Sequence, residues 1–335
     1  MRTFLANLIC ALIPFRNLRN KIRYKLGKIF SRPRILQPVP EMEEIDFFQN
    51  DFPDYVSIVL MIKNEAKFLQ EWLEFHILMG VSKFYIYDNE STDNIKEILE
   101  PYIRDGLVEY IFWQSMEWEN YKDNNHFRAC RDALERCRYK TKWMVVLDSD
   151  EFIQPINSKD LREFLLPFDN AGVAQIGVNW HVFGTGGHLK APNGLLCENY
   201  RFRQGKNSLN KNIVNPRSVI EILVHYHKVS GATVDENMGL VASESKCNGE
   251  ILFQYTDSAD KIRVVHYQSK SMEDWQNKLK RGYNVRKNNA ELFFEIDDSA
   301  IVYDDRMAVY ASAIKAAIKE RVARKDLYSS DRKGQ

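Results

Sequence analysis

Apolar runs of strand length alternate with stretches of helical periodicity from residue 55 onward. Residues 55–62 form an unbroken apolar run apart from one serine, and residues 65–79 then place apolar side chains three and four positions apart before Gly80. These patterns predict a buried strand and then an amphipathic helix that ends at the glycine. The alternation continues with strands predicted over 83–87, 107–113 and 143–147 and helices over 94–99 and 128–139. It predicts an α/β fold with a mainly parallel sheet and helices on both faces.

The pattern loosens after residue 152. Further strands are predicted over 172–180, 219–225 and 262–267, further helices over 271–286 and 304–324, and a glycine-rich turn over 183–187. Residues 36–54 are rich in proline and acidic residues, which is typical of a linker. We therefore divide the chain into an N-terminal segment (1–35), this linker, two parts of one α/β body (55–155 and 156–300) and a C-terminal helix with a tail (301–335).

The N-terminal segment, residues 1–35, carries nine basic groups and no acidic group. Its apolar residues recur at helical spacing, but the purely apolar run is shorter than the ~20 residues that a spanning helix needs. The basic residues follow that run, whereas a secretory signal carries them before it. We expect an amphipathic helix that binds an anionic membrane surface peripherally. The alternative is a helix that packs on the protein's own body.

Composition excludes several classes of protein. The chain has 335 residues, 44% of them hydrophobic, and a formal net charge of +1. Such a chain can bury a core, and its charge gives no reason to expect a nucleic-acid partner. The five cysteines include no C-x-x-C pair, which argues against a disulfide framework or a zinc ribbon and favours a reducing compartment.

Two predicted strands run directly into carboxylates. Asp88 follows the strand over 83–87, and Asp148 and Asp150 follow the strand over 143–147. Ligands bind at the carboxyl ends of strands in such sheets. On an extended chain Asp148 and Asp150 would point the same way and would suit a hard cation such as Mg²⁺ or Mn²⁺. The alternative is a polar turn after a core strand.

Other polar groups follow strands as well. His266 at a strand end is a candidate metal ligand, and Lys270 and Ser271 stand where a helix begins and can meet a phosphate; a hydrogen-bonded structural histidine is the alternative. The triplet Lys63, Asn64 and Glu65 can form the floor of a nucleotide pocket or cap the next helix. His225 and His227 are weaker candidates. The chain contains no G-x-S-x-G, P-loop or H-E-x-x-H motif.

Together these stretches resemble a glycosyltransferase of the GT-A (Rossmann-like) fold, and more narrowly the family 92 group with its bacterial family-2-like relatives. The matching motifs are M-I-K-N-E (61–65) with E-W-L-E-F-H (71–76), Y-D-N-E-S-T-D (87–93), D-S-D-E (148–151), W-H-V-F-G (180–184), G-L-L-C-E (194–198), K-N-I-V-N-P (211–216) and H-Y-Q-S-K-S (266–271).

The resemblance implies an inverting hexosyltransferase that uses a nucleotide-diphosphate sugar, usually a UDP-sugar, with Mn²⁺ or Mg²⁺. In this reading 55–155 bind the nucleotide sugar and 156–300 lie on the acceptor side. The residues so implied are Asp88 for the nucleoside; Asp148 for ribose or, through water, the metal; Asp150 and His266 for the metal; and Lys270 and Ser271 for the diphosphate. Lys63, Asn64 and Glu65 stay candidates for nucleotide binding by their position after the first strand. Inversion requires a base, for which Glu198 is the first candidate and Asp235 and Glu236 are rivals. A salt bridge from Glu198 to Arg201 or Arg203 is the alternative.

The motif D-N-E-S-T-D departs from the commoner D-D-G-S-T-D, which leaves the role of Asn89 open. The basic N-terminal segment resembles bacterial enzymes of lipopolysaccharide or capsule assembly at the cytoplasmic face of the inner membrane, with a saccharide or lipid-linked acceptor. Two rival functions stay open, a nucleotidyltransferase-type enzyme and a non-catalytic membrane-bound scaffold of the same fold.

Overall fold

A computed structural model describes residues 51–117, 124–169, 171–205, 210–223, 225, 227–241, 243–247, 250–254, 258–281 and 289–331. The helix predicted over residues 1–35 and most of the linker predicted over 36–54 lie outside these residues. Within the described ranges, no helix combines the length and the apolar character needed to cross a bilayer.

The strands are β1 (Asp54–Ile62), β2 (Lys83–Asp88), β3 (Val108–Phe112), β4 (Thr141–Val146), β5 (Glu151–Pro155), β6 (Val173–Val182), β7 (Phe202–Arg203), β8 (Asn210–Val214), β9 (Val219–Glu221), β10 (Lys228–Val229), β11 (Ala232–Val234), β12 (Ser243–Cys247), β13 (Glu250–Gln254), β14 (Ile262–His266) and β15 (Val302–Tyr303). The α-helices are α1 (Ala66–Leu78), α2 (Ile95–Arg104), α3 (Asn125–Cys137), α4 (Leu161–Asp169), α5 (Leu196–Asn199), α6 (Met272–Lys280), α7 (Asn289–Ser299) and α8 (Ala311–Asp331).

One large sheet organises the chain, with the strand order β3-β2-β1-β4-β8-β6-β14-β5 and β11 beside β6. β1 pairs in parallel with β2 and β4, β2 with β3, and β6 with β14 and β11. β8 lies antiparallel between β4 and β6, and β5 is antiparallel to β14 at the edge. Most pairings are therefore parallel, which confirms the predicted α/β class.

Both faces of the sheet are covered, as predicted. On β1, Ile58 and Leu60 point into one core with side chains of α1, α2 and α4, while Val59 points into a second core with side chains of α3. Alternate residues of a strand face opposite sides of a sheet, so a strand buried on both sides reads as a continuous apolar run. Cys130 and Cys137 of α3 belong to the second core and are free thiols that form no disulfide.

Several predicted bounds were wrong. β1 begins at Asp54, the last residue of the predicted linker, and the strand predicted over 219–225 ends at Glu221. The helix predicted over 304–324 begins only at Ala311, because the Asp304 carboxylate is held by Arg203 (2.7 Å), Arg263 (2.6 Å) and Arg306. β5 and α4 have no counterpart in the predicted pattern.

Candidate active site

A closed turn after β4 brings the D-S-D-E motif to the carboxyl edge of the sheet. The Asp148 amide donates to Oε2 of Glu151 (2.8 Å), and the Glu151 amide donates to the carbonyl of Asp148 (3.0 Å). The chain therefore reverses into β5, whose pairing with β14 sets Glu151 opposite His266. The amide that follows His266 donates to the carbonyl of Asp150 (2.9 Å). This strand register is the reason that Asp150 and His266 become neighbours.

The carboxylate of Asp150 is buried among positive groups. Nζ of Lys278 lies 2.6 Å from Oδ2, Nζ of Lys270 lies 3.6 Å from it, and Nε2 of His266 lies 3.4 Å from Oδ1. Burial alone would raise the pKa of Asp150, but the charges of Lys278 and Lys270 hold it well below its usual range. Asp150 is therefore ionised throughout the physiological pH range.

His266 has the state expected of a metal ligand. Burial lowers its pKa against the opposing pull of Asp150, so its imidazole is neutral near pH 7. Its ring packs edge-on against Trp180 at 4.6 Å, and its buried Nδ1 has no hydrogen-bond partner among the described residues. A neutral imidazole beside an ionised carboxylate offers one nitrogen and one oxygen ligand.

These two ligands fit a cation that takes much of its shell from water and phosphate, as Mg²⁺ does. Within the described ranges, no three histidine, cysteine, aspartate or glutamate side chains are close enough together to hold a metal by themselves. Asp150 and His266 stay the predicted ligands of a divalent cation.

Asp148 and Glu151 share one buried lysine from β8. Nζ of Lys211 lies 3.2 Å from the Asp148 carboxylate and 3.0 Å from the Glu151 carboxylate. Burial acts to raise the pKa of Asp148, but Lys211 and His126 overcome it and lower that pKa to about 2. Burial raises the pKa of Glu151 to about 8 despite Lys211. The Asp148 side chain keeps 44% of its surface exposed, so it can still meet a ligand.

Asp148 and Asp150 do not lie on an extended chain, so the predicted basis for their pointing the same way was wrong. Residues 149–150 form a turn, and the two carboxylates contact different cationic side chains. The physical reason is the reversal into β5, which a local sequence pattern does not reveal. The predicted alternative, a polar turn after the core strand, describes the backbone of residues 149–150. This turn nevertheless keeps both carboxylates at the edge of the sheet.

Asp88 lies at the same edge, at the end of β2. It is buried and accepts hydrogen bonds from the hydroxyl of Tyr110 (2.8 Å) and the amide of Ser91 (2.9 Å). The neighbouring Asn89 donates through its side-chain amide to the carbonyl of Trp113 (3.0 Å) and to Ser115 (2.9 Å). Asn89 therefore orders the loop after β3, a role that the D-N-E-S-T-D motif does not reveal.

The triplet after β1 joins the loops that follow β1 and β2. Asn64 adopts a left-handed conformation (φ 52°), and its side-chain oxygen accepts from the amide of Thr92 at 2.7 Å. Glu65 pairs with Arg281, whereas Lys63 lies 4.0 Å from Glu90 at the surface.

The triplet does not cap α1 through its side chains. Glu65 occupies the N-cap position without a side-chain hydrogen bond, and the Asp93 carboxylate accepts the first helical amide instead, at 2.9 Å. The predicted capping role is therefore wrong for the side chain of Glu65, and the role of the triplet in a nucleotide pocket stays a prediction.

Lys270 and Ser271 lie beside this edge, at the start of α6. Lys270 has a left-handed backbone (φ 54°), is buried and lies 5.3 Å from the ring centroid of Phe68. Ser271 caps α6 by accepting from the amide of Asp274 (3.0 Å), and its hydroxyl also contacts the Asp274 carboxylate. The structure thus brings the Lys270 ammonium to Asp150, whereas the Ser271 hydroxyl contacts Asp274 of the following helix.

The candidate bases lie apart from this group. Glu198 pairs with Lys315 of α8, which is the largest cause of its lowered pKa, and it accepts from the Leu195 amide. Asp235 accepts the amides of Asn237 and Gly239, both at 2.8 Å. Among the described residues, neither carboxylate contacts Asp148, Asp150 or His266. The alternative of a salt bridge from Glu198 is correct, but its partner is Lys315.

Glu236 and the two remaining histidines have structural partners. Glu236 is buried and accepts the amides of Asp260 (2.8 Å), Lys261 (2.9 Å) and Ile262 (2.9 Å) before β14. His227 accepts from the Leu223 amide through Nδ1, and His225 packs against Trp180 at 5.3 Å. Burial lowers the pKa of each histidine to about 3.

Sequence reasoning missed the two lysines that balance the acidic motif. Lys211 stands in the motif K-N-I-V-N-P, where a lysine inside a strand otherwise made of Asn, Ile and Val was the available signal. Lys278 stands in α6 two residues before Lys280, and nothing local distinguishes it from a solvated helix lysine. Only its packing on Asp150 does so.

Comparison with known sequences gives a consistent result. The model of the family Glycosyltransferase family 92 matches residues 55–296. A family 92 protein of Oryza sativa subsp. japonica is 27% identical over 52% of this chain and 30% of its own length, and one of Arabidopsis thaliana is 25% identical over 69% and 40%. The galactan beta-1,4-galactosyltransferase GALS2 of Arabidopsis thaliana is 33% identical over 25% of this chain and 17% of its own. The chain thus spans less than half the length of these relatives.

Solved structures overlap with this one only in part. Staphylococcus aureus TarS in complex with UDP has a TM-score of 0.28 at 16% identity, covering 38% of this chain and 36% of that one. Glucosyl-3-phosphoglycerate synthase of Mycobacterium tuberculosis, with Mn²⁺ and UDP, has a TM-score of 0.26 at 16% identity, covering 38% and 44%. With TM-scores this low, neither structure identifies residues of the site in this chain.

Proposed function

Because the chain belongs to glycosyltransferase family 92, we propose that it transfers a hexose from a UDP-sugar to a hydroxyl of a saccharide acceptor, with Mn²⁺ or Mg²⁺ as cofactor. The observation that carries the proposal is the grouping around Asp150. One ionised carboxylate, one neutral imidazole and two lysines meet at the carboxyl edge of an α/β sheet. These are the groups that a cation and a diphosphate need side by side.

Each group has a role in binding the donor. Asp88 and the loop held by Asn64 would receive the nucleoside, and Lys270 and Lys278 would neutralise the diphosphate as it leaves. Asp150 and His266 would hold the divalent cation, with Asp148 beside it. Bound there, a divalent cation would stabilise the negative charge that develops on the departing diphosphate.

The acceptor hydroxyl must lose its proton on the side of the sugar opposite the diphosphate. In-line attack from that side inverts the anomeric carbon, and a carboxylate is a suitable base. Glu198 and Asp235 remain the proposed bases. Glu198 is held by Lys315, and Asp235 is held by the amides of Asn237 and Gly239. The bound acceptor would therefore have to place its hydroxyl beside one of these carboxylates.

Galactose is the first sugar to test, since the relatives with a named activity are galactan beta-1,4-galactosyltransferases of Arabidopsis thaliana. The similarity covers only a quarter of this chain. Other UDP-hexoses therefore belong in the same screen.

Release of UDP from each donor in the presence of Mn²⁺ tests the proposed reaction. We expect EDTA to abolish release and Asp150→Ala to lower it at least ~100-fold, because a carboxylate that would hold the cation is lost. Asp305→Ala, which changes an exposed aspartate, is the matched control and should keep its activity. Full turnover by Asp150→Ala would refute the assigned role of Asp150 and the metal.

Residues 1–35 enter the proposal as a peripheral membrane-binding segment. It would hold the enzyme on the inner face of the cell membrane, near a lipid-linked acceptor, as in bacterial lipopolysaccharide or capsule assembly; the relatives named above are plant proteins. Sedimentation with anionic liposomes tests this idea. Deletion of residues 1–30 should abolish binding, and binding that survives the deletion would end the membrane proposal.

A further inference from the structure

The ammonium groups of two lysines lie beside the Asp150 carboxylate, which a divalent cation would also bind. Nζ of Lys278 lies 2.6 Å from Oδ2 of Asp150, closer than Lys270 at 3.6 Å. Lys278 also donates to the carbonyl of Gln268 at 3.3 Å. A lysine ammonium and a divalent cation are both strongly attracted to a carboxylate, but they repel each other at such short range. A cation that takes Oδ2 of Asp150 must therefore displace Lys278, and a cation that takes Oδ1 beside His266 is repelled by the ammonium on the other oxygen.

The charge balance of the site opposes a cation that arrives alone. Two ammonium groups and a neutral imidazole surround one carboxylate, so the local net charge is already positive. A divalent cation would make the site more positive. A nucleoside diphosphate brings negative charge that offsets both the cation and the displaced lysine.

Lys278 is better placed to move than Lys270. Lys270 is buried, has a left-handed backbone and lies over the ring of Phe68 at 5.3 Å. Lys278 stands two turns into α6 with 12% of its side chain exposed, and it carries a flexible four-carbon stem. Rotation of that stem can carry the ammonium from Asp150 to a phosphate without moving the helix.

We propose that Lys278 holds Asp150 in place of the cation in the empty enzyme, and that it transfers to the diphosphate when cation and nucleotide bind together. Lys278 is then the residue that makes the cation and the nucleotide bind as a pair. The inference rests on the proposed function, since it assumes that this site takes a nucleoside diphosphate and a divalent cation. Reciprocity requires that UDP strengthen cation binding by the factor by which the cation strengthens UDP binding.

Titration of Mn²⁺ by electron paramagnetic resonance, with and without UDP, measures this coupling directly and needs no turnover. In the unaltered protein we expect Mn²⁺ to bind weakly alone and at least ~10-fold more tightly with UDP. Lys278→Met should bind Mn²⁺ alone about 10-fold more tightly, because the competing ammonium is gone, and the enhancement by UDP should shrink by a similar factor.

Two further variants control the experiment. Lys280→Met removes an exposed lysine of the same helix and should leave both affinities unchanged. Lys278→Arg keeps a competing positive charge and should retain weak binding of Mn²⁺ alone. Circular dichroism of each variant checks that the protein is folded. If Lys278→Met is not folded, Lys278→Gln replaces it: a smaller enhancement of Mn²⁺ binding by UDP supports the inference, and an unchanged enhancement overturns it.

The outcomes separate this inference from the proposed function. Suppose that the unaltered protein releases UDP from a donor but that folded Lys278→Met binds Mn²⁺ with unchanged affinity. This result overturns the role of Lys278 and leaves the proposed function standing. Equal Mn²⁺ affinity with and without UDP in the unaltered protein also overturns it. If the unaltered protein binds no UDP and releases none from any donor, the proposed function fails and this inference fails with it.

Discussion

The ammonium of Lys211 lies 3.0 Å from the carboxylate of Glu151, and both side chains are almost wholly shielded from solvent. β8 delivers the lysine from one side of β4, and the turn after β4 delivers the glutamate. The same lysine lies 3.2 Å from the carboxylate of Asp148, whose side chain is partly exposed. One buried cation thus balances two acids of the proposed site.

We expect Lys211→Met to lower the free energy of unfolding by about 1–3 kcal/mol, since it leaves the Asp148 carboxylate and the buried Glu151 carboxyl group without their ammonium partner. Urea denaturation measures the loss. The double variant Lys211→Met with Glu151→Gln should lose less than the sum of the two single variants, because both single changes remove the same contact between Lys211 and Glu151. Additive losses would show that the two side chains are not coupled.

Arg321 links α8 to buried and exposed acids of the body. Its guanidinium contacts the buried Glu74 at 2.7 Å and Asp105 at 2.6 Å, and it lies 4.2 Å from the ring centroid of Tyr102. Arg321→Met leaves Glu74 buried with only a tyrosine hydroxyl as partner, so we expect a loss of about 3 kcal/mol in urea denaturation.

Arg324→Met is the matched control on the same helix. Arg324 pairs with Glu320 at the surface, four residues away, and exposed pairs of this kind contribute at most about 0.5 kcal/mol. A loss for Arg321→Met no larger than that for Arg324→Met would contradict the assigned role of Arg321.

Stability should fall as the pH drops below 6.5, partly through His76. Burial lowers the pKa of His76 to about 3, and its ring bonds the Trp72 carbonyl and the Ile153 amide in the neutral form. Between pH 6.5 and 3 the unfolded chain therefore binds a proton that the folded protein does not. This costs up to about 1.4 kcal/mol per pH unit.

His76→Gln should make this pH dependence shallower. Urea unfolding at pH 7.5, 6 and 5 measures the slope, and the value at pH 7.5 accounts for the lost hydrogen bonds. An unchanged slope would mean that His76 is protonated in the folded protein.

Glu198→Gln and Asp235→Asn test the proposed base. Loss of a general base lowers kcat by about 10²–10⁴-fold, whereas UDP affinity should stay unchanged because neither side chain contacts the Asp150 group. We expect this pattern for Glu198→Gln first and for Asp235→Asn as its rival. Full kcat in both variants would place the base elsewhere.

Most of the sheet could be predicted from the sequence because each central strand is buried on both faces. The apolar run over residues 55–62 and the carboxylates after β2 and β4 needed no tertiary information. β5 escaped prediction because it follows the acidic motif without a turn signal, and its partner, β14, comes more than a hundred residues later. The start of α8 was placed too early because Asp304 was assigned to it, whereas three arginines hold that aspartate.

The sequence by itself determined the family, the alternating strands and helices, and the candidates Asp88, Asp148, Asp150 and His266, because local periodicity and short motifs record them. Only the tertiary structure decided which cations meet those acids. Lys211 lies 63 residues from Asp148, and Lys278 lies 128 residues from Asp150. Contacts over such separations depend on strand order, register and helix docking, which arise from the packing of the whole chain. The sequence around Lys278 therefore gives no sign of its partner, and the sequence around Lys211 shows only an unusual lysine in a buried strand.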